Sequence, residues 1–288
     1  MKKRFFTGII IAIVYVGTIL LSLLVHPVFF DIFTVLIMMA ASLEMSRAVG
    51  PRFGRPVDLA VLAEILLGYL AFVLTEYFLN GKGGVTAWYA VLLAVYLVCL
   101  LYVRLSKEKT ARNATSTLLV LLYPVTILVY MLALNYLPDP FRVPSILLLF
   151  LVSTLTDTFA YLVGSTFKGP KLCPNISPKK TVSGAVGGLI GGMLGGAVVL
   201  LFSEFSVLGV EPIGRSLGTN IAHFLVIGFF ASIFNQVGDL VASYVKRLCG
   251  IKDYGNILPG HGGFMDRIDG MMLAGVFVYL YMLVLTVL

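Results

Sequence analysis

Apolar residues fill most of the chain in runs of about 20, separated by short polar stretches that carry Lys, Arg, Pro or Gly. A helix of about 20 apolar residues is long enough to cross the hydrocarbon core of a bilayer. The pattern therefore predicts an all-α, polytopic integral membrane protein with about nine spanning helices. The predicted spans are 5–25, 28–47, 57–79, 84–104, 115–135, 143–164, 184–203, 221–246 and 270–288.

Composition agrees with this prediction, because 59% of the residues are hydrophobic and only 12% are charged, against about one quarter charged in soluble domains. The basic residues also predict an orientation. With a cytoplasmic N-terminus, all of the 21 Lys and Arg residues except Lys82, Arg142 and Arg215 fall in cytoplasmic segments. The net charge of +7 is then a signal of topology, and it indicates no nucleic-acid partner.

The N-terminus and the cysteines carry little further information. Residues 1–4 are basic and precede an apolar run that is too long for a signal peptide and lacks a small-residue cleavage site, so a retained first span is expected. Cys99, Cys173 and Cys249 follow no C-x-x-C spacing and are expected to be free thiols. The alternative is a zinc site formed by Cys173, Cys249 and His261.

The two halves of the chain differ in character. Residues 1–140 are predicted to form an N-terminal transmembrane bundle with short basic loops. Residues 141–288 are predicted to form a catalytic transmembrane domain, with polar residues inside its spans and cytoplasmic loops at 165–183 and 247–269. The seventh span carries glycine at every fourth position, which allows close helix packing either within one chain or in a homodimer. These glycines are Gly184, Gly188, Gly192 and Gly196.

Two aspartates lie inside predicted spans, where a charge is costly and requires a partner, a watery cavity or a function. Asp157 precedes Gly164 by seven residues and Asp239 precedes Lys246 by seven, which places both carboxylates about 10 Å inside the cytoplasmic helix ends. Polar neighbours at helical spacing predict a hydrated cleft that opens to the cytoplasm. The alternative is that each aspartate only fixes helix packing.

The stretch 243–270 concentrates basic residues, aspartates and glycines. Glycines at 260, 262 and 263 free the backbone to approach an anion close to the start of the last helix. Asp266 and Asp269 are three residues apart and can share a helix face that holds a hard cation such as Mg²⁺, with Arg267 available to a phosphate. The alternative is that the two acids only offset the helix dipole.

The loop 165–183 offers hydroxyl and ammonium groups suited to a polyphosphate, at Ser177, Lys179, Lys180 and Thr181. The chain contains no Walker A pattern and no G-x-S-x-G elbow, which argues against a P-loop ATPase and a serine hydrolase. The alternative is that the two lysines only follow the positive-inside rule.

The same stretches resemble the phosphatidate cytidylyltransferases, also called CDP-diacylglycerol synthases. The resemblance covers about 150–270 and rests on a long, specific motif, with Asp157, Gly238-Asp239 and the 177–181 stretch as upstream elements. The motif residues are Ser243, Lys246, Arg247, Lys252, Asp253, Gly255, Pro259, His261, Gly262, Gly263, Asp266, Arg267 and Asp269. Val182, Ser183 and Gly270 depart from the family pattern, so no role is assigned to an acid at 183.

The resemblance implies that CTP and phosphatidate give CDP-diacylglycerol and pyrophosphate at a magnesium-dependent site, with a second cation as an option. It implies Asp239 and Asp266 as metal ligands, and Asp157 and Asp269 as further catalytic residues. Substrate binding is expected from the other polar motif residues. These are Ser177, Lys179, Lys180, Thr181, Ser243, Lys246, Arg247, Lys252, Asp253, His261, Gly262, Gly263 and Arg267.

Related readings stay open from sequence alone. A CDP-archaeol synthase or a CTP-dependent polyprenol kinase would share the chemistry but act on another lipid. A secondary transporter could also use paired intramembrane carboxylates, although no matching broken helices occur in the two halves. The expected location is a bacterial inner membrane, with the active site facing the cytoplasm.

Overall fold

The computed structural model describes residues 2–79, 83–258 and 262–287. Within this part of the chain the structure is almost entirely helical. The helices are α1 (Lys2–Leu24), α2 (Val28–Phe53), α3 (Asp58–Phe78), α4 (Gly84–Leu105), α5 (Ala111–Val120), α6 (Ile127–Leu134), α7 (Arg142–Phe167), α8 (Val182–Glu204), α9 (Leu217–Leu248) and α10 (Met265–Leu285). A π-helical turn, Leu121–Thr126, joins α5 to α6, and a 3₁₀ turn, Val207–Gly209, follows α8.

Eight helical stretches of the described residues are long and apolar enough to cross a membrane. They are α2, α3, α4, the combined stretch Ala111–Leu134, α7, α8, α9 and α10. Within α1 the described residues include the shorter apolar segment Ala12–Leu24, so the predicted first span, 5–25, stays a prediction. The prediction of an all-α polytopic membrane protein is confirmed, and eight of the nine predicted spans correspond to these stretches.

The predicted loop 165–183 contains a small hairpin that the hydrophobic pattern did not indicate. Strands β1 (Lys171–Cys173) and β2 (Ser177–Thr181) pair antiparallel, with Lys171 opposite Thr181. Such short, lysine-rich strands carry too few apolar residues to show a period-2 pattern. The Thr181 hydroxyl then accepts the Gly184 N–H at 3.1 Å and caps α8, so the hairpin leads directly into that helix.

The helices fall into two compact units. The first comprises Met1–Tyr136 and Leu248–Arg267, and the second comprises Leu137–Arg247 and Ile268–Leu288. The loop after α9 is thus part of the first unit by its contacts. The sequence pattern placed this loop in the predicted catalytic domain, residues 141–288.

In the first unit, the buried carboxylate of Asp31 is paired with residues beyond its own helix. Asp31 on α2 is 3% exposed. It accepts hydrogen bonds from Asn135 Nδ2 at 2.8 Å and from the Tyr136 hydroxyl at 2.6 Å, just after α6. Such pairing offsets the cost of removing a carboxylate from water.

Pro124, which has no N–H to donate, lies in the π-helical turn where the helical hydrogen bonding changes.

In the second unit, the glycines of α8 lie in two rows, and each row faces a neighbouring helix. A Cβ atom at Gly184, Gly187, Gly191 or Gly195 would meet α7, and a Cβ atom at Gly188, Gly192 or Gly196 would meet α9. Only glycine allows the helix backbones to approach this closely. Both rows therefore serve packing within one chain.

Candidate active site

The second unit pairs Asp157 with a polar residue of the neighbouring helix. Asn235 Nδ2 on α9 donates to Asp157 Oδ1 on α7 at 2.8 Å. Asn235 is buried, whereas Asp157 is exposed to the cavity described below. The α7 and α9 carboxylates that the sequence placed at similar depths thus belong to one unit, with Asn235 holding the α7 carboxylate in place.

Asp239 pairs with the hairpin. Lys180 Nζ on β2 lies 2.6 Å from Asp239 Oδ2, and Ser243, one turn later on α9, donates to Asp239 Oδ1 at 3.3 Å. Lys179, the neighbour of Lys180 on β2, lines the same cavity. The ammonium group of Lys180 therefore neutralises a carboxylate within reach of any ligand in the cavity.

A cavity of about 330 Å³ opens between these elements of the second unit. Its lining combines charged side chains with glycines that leave room beside them. The lining residues are Asp157, Ala160, Tyr161, Gly164, Ser165, Leu172, Lys179, Lys180, Thr181, Gly184, Ala185, Gln236 and Asp239. Gln236, which the sequence analysis did not single out, donates to the Ala185 carbonyl at 3.3 Å. This volume falls within the usual range for a small-molecule site.

The part of α10 in the second unit adds a third carboxylate. Asp269 Oδ2 lies 3.7 Å from Lys246 Nζ on α9, and Asp269 Oδ1 accepts the Gly270 N–H at 2.9 Å. Asp239 and Asp157 are close enough to Asp269 to interact with it electrostatically. Three carboxyl groups and two ammonium groups thus lie in this cluster, and carboxylate oxygens are the ligands that a hard cation prefers.

Arg247, at the end of α9, contacts the hairpin. Its Nε donates to the Ile176 carbonyl at 3.3 Å. Within the described ranges, no three His, Cys, Asp or Glu side chains stand at the spacing of a metal centre. The oxygen donors present are nevertheless of the type that Mg²⁺ prefers.

In the first unit, Asp266 organises the loop that carries the predicted motif. Asp266 is 9% exposed, and its Oδ2 accepts the backbone N–H groups of Tyr254 at 2.9 Å and Gly263 at 3.0 Å. Gly262 adopts a φ of +82° and lies against this carboxylate, a conformation that favours glycine. The Gly263 N–H, a predicted phosphate donor, is therefore already bonded to Asp266.

The structure adds one acidic residue that the sequence analysis missed. Glu44 on α2 is 1% exposed and accepts backbone N–H groups at the start of α10, from Phe264 at 3.0 Å and Met265 at 2.9 Å. The available signal was an acid inside an apolar span, which always requires an explanation. Glu44 lies far from the motif residues in sequence, so that signal alone did not connect it with the site.

The remaining predicted residues have varied surroundings. Lys252, Asp253 and Arg267 are exposed in the first unit, and Ser177 is half-buried on β2. His261 lies outside the described residues, so its predicted role and the zinc alternative that requires it stay predictions. Cys99, Cys173 and Cys249 are free thiols, as expected.

Comparison with known proteins places the chain in a family. Residues 4–285 match the model of the cytidylyltransferase family. The chain is 30% identical over 279 residues to a phosphatidate cytidylyltransferase of Bacillus subtilis (strain 168), covering 97% of this chain and 96% of that protein. It is also similar to proteins of the same name over shorter stretches. The identity is 42% over 127 residues in Staphylococcus haemolyticus (strain JCSC1435), 44% of each chain, and 38% over 143 residues in Brucella abortus (strain 2308), 50% of this chain and 48% of the relative. The residues matched by the family model include the carboxylates and lysines of the cluster described above. The chain belongs to the cytidylyltransferase family.

Proposed function

We propose that this chain transfers CMP from CTP to phosphatidate, forming CDP-diacylglycerol and releasing pyrophosphate. The observation that carries the proposal is the cluster of Asp157, Asp239 and Asp269 with Lys180 and Lys246 in a membrane-spanning unit of a cytidylyltransferase-family chain. The Bacillus subtilis relative, which is named phosphatidate cytidylyltransferase, aligns with nearly the whole length of this chain.

In this reaction an oxygen of the lipid phosphate attacks the α-phosphorus of CTP, and the bond to the bridging oxygen of the β-phosphate breaks. The lipid phosphate is already an anion at neutral pH, so the reaction requires no strong general base. The enzyme must instead hold two anions together and offset their repulsion. Lys179 and Lys180 line the cavity, and we expect them to contact the triphosphate.

Mg²⁺ is the proposed cofactor, with Asp239 and, from the sequence motif, Asp266 as its ligands. The carboxyl oxygens around Asp239 in the second unit are of the type that a hard cation prefers. When bound, Mg²⁺ supplies charge neutralisation for the phosphates as the α-phosphorus is attacked. We propose that Asp157 and Asp269 contribute to the electrostatic field around the metal. Lys246 partly offsets their negative charge.

The acceptor distinguishes this function from its nearest alternatives. Purified protein with CTP and Mg²⁺ should form a CDP-lipid from phosphatidate, and an Asp239→Asn variant should form far less at the same Mg²⁺ concentration. Matched assays with an ether-linked acceptor and with polyprenol test the archaeol and polyprenol alternatives. A product with either of these acceptors and none with phosphatidate would reject the proposed substrate.

The proposed location is a bacterial inner membrane, with the candidate site facing the cytoplasm. Bacterial relatives and the distribution of basic residues support it. In intact inner-membrane vesicles of known sidedness, a membrane-impermeant maleimide should label Cys173 from the cytoplasmic side and a Ser216→Cys variant from the other side. Labelling of Cys173 and residue 216 from the reversed sides would contradict the orientation.

A homodimer remains a prediction. Both glycine rows of α8 already face α7 and α9 of the same chain, so a dimer would have to use another surface. Crosslinking in native membrane, read as a doubled mass, tests it.

A further inference from the structure

Glu44 is a buried acid with no role in the chemistry proposed above. It lies in the apolar helix α2 and is 1% exposed. A carboxylate removed from water in this way is stable only where hydrogen-bond donors replace the water. The residues that supply these donors to Glu44 therefore identify its role.

Both carboxylate oxygens of Glu44 are engaged by backbone amides of the first unit. Oε1 accepts the Phe264 N–H at 3.0 Å and Oε2 accepts the Met265 N–H at 2.9 Å. The first N–H groups of a helix have no partner within the helix, and an acidic group there also offsets the helix dipole. Glu44 thus caps α10 from a position 220 residues earlier in the chain.

Two glycines make this contact feasible. A Cβ atom at Gly255 or Gly263 would collide with the Glu44 carboxyl group. At these two positions the loop before α10 therefore packs against the carboxylate with backbone atoms, without an intervening side chain. Any larger residue at either position would push Glu44 away from the amides that it holds.

The same turn carries Asp266. Its Oδ2 accepts the Gly263 N–H, and the next two N–H groups along the chain go to Glu44. Three consecutive amides, at 263, 264 and 265, are thus held by two carboxylates. The direction of Asp266 depends on the turn that Glu44 fixes, and a phosphate could use these amides only by displacing a carboxylate.

We propose that Glu44 is a positioning residue, which fixes the first turn of α10 and thereby holds Asp266 in its working direction without touching substrate. The inference rests on the proposed function for its activity assay. It extends the site to a residue of the N-terminal bundle that carries no part of the sequence motif.

Glu76 provides a matched control. It lies on α3 of the same unit, and its Oε1 accepts the N–H of Gly84, the first residue of α4, at 2.6 Å. It therefore caps a helix as Glu44 does, but its hydrogen bond among the described residues is to α4 and not to the loop 247–269. If Glu44 acted only through stability, Glu44→Ala and Glu76→Ala should change kcat to the same extent.

The experiment compares Glu44→Ala, Glu44→Gln and Glu76→Ala by two measurements below their unfolding temperatures. In the first, kcat at saturating CTP, phosphatidate and Mg²⁺ should fall about tenfold or more in Glu44→Ala. It should recover substantially in Glu44→Gln, which keeps one acceptor oxygen, and should stay near the wild-type value in Glu76→Ala. In the second, hydrogen–deuterium exchange should show protected amides at 264 and 265 in the wild type and fast exchange there only in Glu44→Ala.

Three results would overturn the proposal. They are unprotected amides at 264 and 265 in the wild type, an unchanged kcat in folded Glu44→Ala, and equal losses of kcat in Glu44→Ala and Glu76→Ala. If Glu44→Ala does not fold, the test uses kcat of Glu44→Gln compared with Glu76→Ala, together with the exchange of the 264 and 265 amides in the wild type. If the wild type transfers no CMP, the proposed function fails, and the exchange data alone decide whether Glu44 holds these amides.

Discussion

Lys180 Nζ lies 2.6 Å from Asp239 Oδ2 and joins the β-hairpin to α9. The lysine side chain is 24% exposed and the aspartate side chain 32%, so both remain accessible from the cavity that they line. A ligand phosphate can therefore contact the same ammonium group that now neutralises the carboxylate.

Replacing Lys180 tests this dual role. Lys180→Met should lower CMP transfer about 10- to 100-fold, because a hydrogen bond to a charged group is worth about 1.5–3 kcal/mol. Lys171→Met is the matched control, since Lys171 is exposed on the paired strand and does not line the cavity. Steady-state kinetics measure both variants, and equal losses would show that only the general positive charge of the hairpin matters.

Removal of the metal should stop the reaction. Chelation by EDTA should abolish CMP transfer, and added Mg²⁺ should restore it, because the triphosphate charge must be neutralised. Asp239→Asn should require a higher Mg²⁺ concentration for any residual activity, since an amide is a weaker ligand for a hard cation. Full activity in EDTA, or an unchanged Mg²⁺ requirement in the variant, would contradict the proposed metal role of Asp239.

The glycine rows of α8 make a prediction about stability. A Cβ atom at Gly192 would collide with Ser232 and with the Gly228 carbonyl of α9, so Gly192→Ala should lower the free energy of unfolding by about 1–3 kcal/mol. Gly218 on α9 has open space around its Cβ position, and Gly218→Ala should cause no loss. Thermal unfolding in detergent measures both. A Gly192→Ala protein as stable as the wild type would show that the close packing of α8 on α9 is not as described.

The Cys249 thiol offers a prediction about pH. Burial raises its pKa above the ordinary value, and the nearby Arg52 guanidinium partly offsets that rise. Because only the thiolate reacts, alkylation of Cys249 in a Cys99→Ser, Cys173→Ser background should be slow at neutral pH and reach half its maximal rate at a higher pH than a fully exposed cysteine does.

Arg52→Gln removes the charge that favours the thiolate, so it should raise the pKa further and slow alkylation at any pH below that midpoint. Mass spectrometry of iodoacetamide-treated protein at several pH values gives the rates. Faster alkylation in Arg52→Gln would reverse the expected sign and refute the assigned cause.

The fold was predictable where a single physical signal dominates. The length of apolar runs located the spans, because a helix must cross the bilayer with its backbone hydrogen bonds satisfied internally. The hairpin at 171–181 was missed because its strands are short and polar. The spacing of Gly192 and its neighbours predicted close packing, but spacing alone does not identify the partner helix.

The candidate site was predictable in its residue types and less so in its contacts. Asp157 and Asp239 stood out because intramembrane charges are costly, yet the Asn235 and Lys180 contacts required the structure. Glu44 could not be linked to α10 from sequence, because no local pattern connects residues 220 positions apart.

The position of a label distinguishes transfer of CMP from transfer of a phosphoryl group. Purified protein is incubated with phosphatidate, Mg²⁺ and CTP labelled with ³²P at either the α- or the γ-phosphate, and the lipid phase is counted. If CMP is transferred, the α-label should enter the lipid and the γ-label should leave as pyrophosphate. A γ-label in the lipid phase, or no α-label there, would contradict CMP transfer.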